Sequence, residues 1–187
     1  MKMGKFFIDM MANSSDPRLP FFATTDSDDG YSGNTVGDVE TTTTSDVGPA
    51  IASNTAPIGM ITYVEMKFVE AEALLRNGDT SGAETAFKEA VSASLEKVVG
   101  SVDQSFVDAV TATVSLETII EQKYIALFSS IEPYNDYRRT GYPVLTPNPN
   151  AQQAVIPLRL PTSSDERIYN PNATVVSDLY TPVWWDK

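Results

Sequence analysis

Apolar residues recur through the middle of the chain with helical spacing. Ile61, Val64, Phe68, Ala71 and Leu75 are alternately three and four residues apart, which places them on one face of a helix. Glu72 and Arg76 form an i,i+4 pair on the other side. Asn77-Gly78 supplies a left-handed stop, and Ser81 with Glu84 fits a capping box that opens a second helix. The apolar face of that helix is Phe87, Val91, Ser94, Leu95 and Val98, and Gly100 ends it. The pattern predicts a further short helix over Gln104–Thr111 and a strong one from Leu116 to Ile131. The latter carries Ile119, Ile120, Tyr124, Leu127 and Phe128 on one face and is capped by Ser115, with Glu117 at its positive end. Pro133 ends it and opens the next turn of helix, Tyr134–Arg139, closed by Gly141.

The flanks differ. Lys5–Ala12 reads as a short helix. Asp9 interrupts its apolar run and no small-residue cleavage site follows, so it does not fit a secretory signal. Residues 13–57 are rich in Thr, Ser, Asp, Gly and Asn. Two prolines in Asp16-Pro17-Arg18-Leu19-Pro20 open that stretch, which predicts a long loop with short strands near Val36–Thr41. Beyond Tyr142, seven prolines from Pro143 to Pro182 rule out long helices; Val155–Leu160 fits a short strand. The expected fold is therefore mainly α: a helical hairpin and further helices (61–131), a long loop (13–57) and an irregular proline-rich part (132–187), together one domain over 1–187. Ala71-Glu72-Ala73, Gly78-Asp79 and Ala83–Ala90 resemble a tetratricopeptide repeat. A single repeat needs neighbours to bury its faces: the 13–57 loop, the tail or a second copy of the chain.

Composition narrows the chemistry. The 187 residues carry 13 Lys and Arg against 25 Asp and Glu, a formal charge of −12. That charge repels phosphate backbones and argues against nucleic acid as a partner. With no Cys and no His, thiolate metal sites, Cys nucleophiles and every Ser-His or Cys-His arrangement are excluded. No run approaches the ~18 apolar residues of a membrane span.

Several motifs in register resemble the SusD/RagB family. They are Asp16-Pro17-Arg18-Leu19-Pro20 after the Phe/Met-rich helix; Glu65–Ala73 with Gly78-Asp79; and Gln122–Phe128 leading into Asp136-Tyr137-Arg138-Arg139-Thr140-Gly141-Tyr142-Pro143. Ile156-Pro157-Leu158-Arg159 with Glu166 and Asn170-Pro171, and the terminal Val183-Trp184-Trp185-Asp186, complete the set. Tyr134 stands where the family usually has Trp, and the chain corresponds to the C-terminal portion of the longer family members, without their N-terminal half and lipidated cysteine. The resemblance implies a nutrient-binding protein on the outer face of the outer membrane of Bacteroidetes. Such a protein partners a SusC-like TonB-dependent transporter, captures glycans or peptides, needs no cofactor and performs no catalysis.

Candidate binding residues have two readings each. Arg138 and Arg139 suit a bidentate clamp on ligand oxygens, but paired arginines in a helix-ending turn usually brace structure. Trp184 and Trp185 offer flat faces for a pyranose or, alternatively, pin the tail to the body. Tyr31, Tyr134, Tyr137, Tyr142, Tyr169 and Tyr180 are further stacking candidates. No family binding motif maps onto any of these, so none is assigned as a ligand-binding residue. Asp26-Ser27-Asp28-Asp29-Gly30 has the clustered oxygens of a calcium loop but neither the spacing nor the distant Glu of an EF-hand, and reads as a solvated acidic loop. Glu65, Glu70 and Glu72 read as a solvated helix face. Three functions follow in order: a nutrient-binding component, a scaffold that packs on a transporter or on another part of the protein, and a carboxylate glycosidase.

Overall fold

The structure is a computed structural model that describes residues 1–187 except Gln152, Ala154 and Lys187. Its described residues form nine helices and no strand: α1 (Lys5–Asn13), α2 (Leu19–Phe22), α3 (Pro49–Ala52), α4 (Tyr63–Arg76), α5 (Thr80–Val99), α6 (Gln104–Val110), α7 (Leu116–Ala126), α8 (Glu132–Thr140) and α9 (Ser164–Tyr169).

The hairpin is α4 and α5. Thr62 caps α4 by accepting from the Glu65 N–H. Asp79 caps α5 by accepting from the Gly82 N–H, which corrects the expected Ser81–Glu84 box: Ser81 already lies inside the helix. Gly100 ends α5 with φ +82°, a left-handed conformation that a side chain would disfavour. Val64, Phe68 and Ala71 of α4 face Ala86, Phe87, Val91 and Leu95 of α5. Ile61 is exposed and precedes α4, so it does not join this face. The hairpin's other neighbours are α6 and α7, through Phe106, Val107 and Ile119.

Helix α7 is shorter than its apolar pattern suggests. It stops at Ala126, and residues 127–131 turn before α8, leaving Ile131 exposed. Ser115 and Thr118 cap each other's backbone at its start. Its Ile119 belongs to the hairpin core and its Ile125 to a second core. That second core joins Phe7, Ile8 and Met11 of α1 to Leu19 and Phe22 of α2. The Phe7 and Phe128 rings stack at 4.4 Å and Phe7 meets Tyr124 at 5.9 Å.

The stretch expected as a loop over 13–57 carries α2 and α3, and nothing near Val36–Thr41 pairs as a strand. Instead the N-terminal segment folds back on itself through isolated bridges, Lys2 with Asp46, Gly4 with Asn34 and Ala23 with Val47. The Met3 N–H donates to the Ser45 carbonyl at 2.9 Å and the Asn34 N–H to the Met3 carbonyl at 2.8 Å. Polar loop residues lack the apolar alternation of a strand but still pair their backbone groups where burial demands it. The same holds for Val155–Leu160: no strand forms, and the Leu158 and Arg159 N–H groups both donate to the Leu179 carbonyl.

One side chain ties these layers together. Arg18 is 0% exposed. Its Nε and Nη2 donate to the two Asp16 oxygens at 2.9 and 2.6 Å, Nη1 donates to Ser94 Oγ of α5 at 2.9 Å, and Nη2 also donates to Gln122 Oε1 of α7 at 2.7 Å. The guanidinium carbon lies 5.9 Å from the Phe106 ring of α6. Removing one partner of a buried pair strands the other charge, at a cost of about 3–5 kcal/mol. Arg18→Met is therefore expected to lose about that much unfolding free energy in urea melts, and Arg18→Met with Asp16→Asn to recover part of it. A loss below about 1 kcal/mol in the single variant would contradict this assignment.

Candidate functional site

Two polar constellations lie outside the cores. The first is an open cleft of about 380 Å³ lined by Val69, Glu72, Ala73 and Arg76 of α4, Lys123 of α7, and Glu132, Asp136 and Arg139 of α8. The Lys123 ammonium reaches both Asp136 oxygens, at 3.1 and 2.8 Å. Arg139 bridges the carboxylates: Nη2 lies 2.7 Å from Asp136 Oδ1 and 2.8 Å from Glu72 Oε2, and Nη1 also donates to Glu72. Arg76 Nε completes the cluster at 2.7 Å from Glu72 Oε1. Glu72 is thus buried and paired rather than part of a solvated face, a correction forced by the docking of α8 against α4. Burial alone would raise its carboxyl, but the hydrogen bonds from Arg139 and Arg76 outweigh burial and hold it below the usual carboxylate range.

The second constellation lies where the C-terminal segment meets α8. The Arg138 guanidinium carbon is 4.4 Å from the Tyr134 ring centre and 4.6 Å from that of Trp185. Arg138 Nη1 donates to the Leu158 carbonyl at 3.1 Å and Nη2 to Asn135 Oδ1 at 2.6 Å, while its buried Nε has no partner among the described residues. Tyr134 donates its hydroxyl to the Pro157 carbonyl at 2.9 Å. Arg159 holds the chain end similarly, donating to the Thr181 and Pro182 carbonyls at 2.6 and 2.8 Å. It also lines a smaller hollow of about 250 Å³ with Thr174–Asp178 and Thr181. Burial, with Asp186 close by, pushes the Tyr137 hydroxyl up.

The paired arginines of the sharpest motif are therefore both engaged within the chain. Trp185 packs on Arg138, whereas Trp184 is 85% exposed. Of the tyrosines, Tyr31 packs on the N-terminal core and Tyr134 serves the Arg138 contact. Tyr137, Tyr142 and Tyr180 are half-buried, and Tyr169 is exposed on α9.

The Asp26 loop closes on itself. The Asp26 carboxylate accepts from the Asp28 and Gly30 N–H groups at 3.0 and 2.9 Å, and the Ser32 hydroxyl with these two amides holds its carboxyl below the usual range. Among the described residues no three acidic side chains are grouped to hold a metal ion. Among the described residues the one carboxyl pushed upward is Glu121, by burial and by the neighbouring Glu117; it lines neither cavity.

Sequence reasoning missed Arg18, Gln122 and Lys123 as buried polar residues. The signal was present in α7, where Ile119, Gln122, Lys123 and Ala126 occupy i, i+3, i+4 and i+7. That phase puts two polar side chains on a buried stripe.

The fold is a helical scaffold whose motif arginines are engaged within the chain and whose C-terminal part exposes Trp184 and Tyr169. Residues 1–161 match the SusD-like family, described as starch-binding and associating with the outer membrane. The chain belongs to that family. The match ends ahead of α9 and the tryptophan-bearing tail. No curated protein matches the chain. Among the described residues no helix is long and apolar enough to cross a membrane.

Because the folded Glu72 carboxyl lies below its unfolded value, its contribution to stability is fully present above the ordinary Glu pKa of about 4.3 and is lost as pH falls through the folded value. Thermal midpoints measured from neutral pH downward should therefore drop less steeply for Glu72→Gln than for the parent chain. Parallel acid limbs would show that Glu72 carries no such linkage.

Proposed function

We propose that this chain is a nutrient-binding component of an outer-membrane uptake system, exposed at the cell surface, that captures a glycan for a SusC-like TonB-dependent transporter. The family match over residues 1–161 carries this reading. The geometry favours a neutral oligosaccharide over an acidic ligand. Arg138, Arg139 and Lys123 are engaged internally, so the cations of this region are not free to hold a ligand, whereas flat aromatic faces are. Trp184 is the most exposed of the candidate aromatics, and an indole face can stack on the apolar face of a pyranose while loop hydroxyls and amides hydrogen-bond its rim. Residues 1–187 would act as one binding unit. Neither catalysis nor a cofactor is part of this reading: Glu72 and Asp136, the carboxylates that line the cleft with arginine and lysine partners, are held as ion pairs and so are poorly placed to deliver a proton.

The second reading is a scaffold segment that packs on the transporter or on another part of the protein without touching ligand. The observation favouring it is that Arg138 and Arg159 both bind the chain's own C-terminal segment, and Trp185 of that segment packs back on Arg138.

Affinity gel electrophoresis against starch and a panel of other neutral and acidic polysaccharides separates the two. Retardation by one glycan, reduced roughly tenfold or more in affinity by Trp184→Ala with the circular dichroism unchanged, is the expected result. A folded chain that no glycan or oligopeptide retards, yet that still co-purifies with a TonB-dependent transporter, would establish the scaffold reading instead.

A further inference from the structure

The C-terminal segment forms a strap that is held to α8. The Pro157 and Leu158 carbonyls accept from Tyr134 and Arg138. The Leu158 and Arg159 N–H groups close the strap on the Leu179 carbonyl, and Arg159 grips the Thr181 and Pro182 carbonyls. The tip of the strap, Trp185-Asp186, then lies back on α8, where the Arg138 guanidinium lies against the Tyr134 and Trp185 rings.

This joint suits its rings better than its charges. Among the described residues two buried side-chain polar atoms lack a hydrogen-bond partner, Arg138 Nε and Asp186 Oδ2, and both belong to the joint. Asp186 is 7% exposed. A donor and an acceptor of opposite charge are thus sealed from water without pairing with each other. Buried polar atoms are normally satisfied, and a stranded one bears its full desolvation cost. Ring stacking favours the seated tip. The stranded groups favour its release, which returns both to water.

We propose that the tip is a displaceable plug: Trp185 occupies a sugar-binding face made by Tyr134 and Arg138, and a pyranose ring replaces it when the tip lifts. This rests on the glycan reading above. An indole and a pyranose each offer a flat face that covers an aromatic ring and a guanidinium. The indole N–H can only donate, so it leaves Arg138 Nε unmet; a sugar hydroxyl accepts from it. That difference is the differential contact that displacement requires. Arg138 Nη1 and Nη2 keep Leu158 and Asn135 as partners, so a single N–H is on offer, which suits an uncharged ligand. Trp184 is exposed with the tip seated and can hold the glycan before the tip lifts.

Trp184→Phe leaves Trp185 as the one tryptophan of the chain, and acrylamide quenching of its emission reads tip release with no ligand present. On that background Asp186→Asn removes the stranded charge at nearly constant shape and should lower the quenching constant. Arg138→Met removes the ring's partner and should raise it. Each change should be roughly twofold, with circular dichroism unchanged. Affinity gels against starch give the second readout. Trp185→Ala should strengthen retention roughly threefold or more, because the binding-competent fraction rises; this is the opposite sign to Trp184→Ala. A quenching constant that neither variant moves overturns the plug, as does Trp185→Ala weakening starch retention alongside Trp184→Ala. If starch retains no variant while the quenching order holds, the displaceable tip stands and the glycan reading is what fails.

Discussion

The buried guanidinium of Arg18 is the constraint on which the rest of the structure depends. A charge removed from water this completely is tolerated only when its hydrogen-bonding capacity is met. Here the partners come from three separate places: Asp16 two residues away, Ser94 on α5 and Gln122 on α7. The docked N-terminal segment is therefore tied to the hairpin and to α7 at once, and a shift of α7 would unpair Arg18. Helix α7 then hands the same logic on, because the residue after Gln122 is Lys123, which fixes Asp136 and with it α8. Two adjacent polar residues on one buried stripe thus hold the helix to both of its flanking layers.

This arrangement shapes what the surface can do. Once α8 is fixed, Arg139 closes on Glu72 and Asp136, and Arg138 turns toward the C-terminal segment and packs on Tyr134 and Trp185. Most of the motif that looks like a ligand clamp is consumed in holding the chain together. Among the large hydrophobic side chains, Trp184 and Tyr169 at the C-terminal end and Ile58, Met60 and Ile61 ahead of α4 remain open.

Much of the helical body was legible in the sequence because it follows period. Val64, Phe68 and Ala71, and Phe87, Val91 and Leu95, fall where a 3.6-residue repeat puts them, and Ser115, Gly100 and Gly141 mark ends that the backbone requires. The errors share a physical cause. Ile61 continues the apolar spacing but precedes the Thr62 cap, and a cap overrides periodicity. Leu127 and Phe128 continue the spacing of α7 yet lie in the turn after it, where Phe128 stacks on Phe7. Arg18 falls in the expected loop, Glu72 on the expected solvated face, and nothing in the pattern singles out Lys123, because their burial depends on partners 67 to 104 residues away or on another helix. Local pattern does not carry that information. The binding surface was less legible still: the candidate aromatics could be named, but which of them the fold turns inward depends on how the C-terminal segment meets α8.

The Arg18 network makes the N-terminal layer and the helical hairpin one cooperative unit. Native-state hydrogen exchange measured by mass spectrometry tests it most directly, by comparing the slowest amides of α1 with those of α5 and α7 as denaturant is raised. If Arg18 couples the layers, they converge on a single opening free energy with a single denaturant dependence. Amides of α1 that exchange through a separate, lower-energy opening while α5 and α7 stay protected would contradict it.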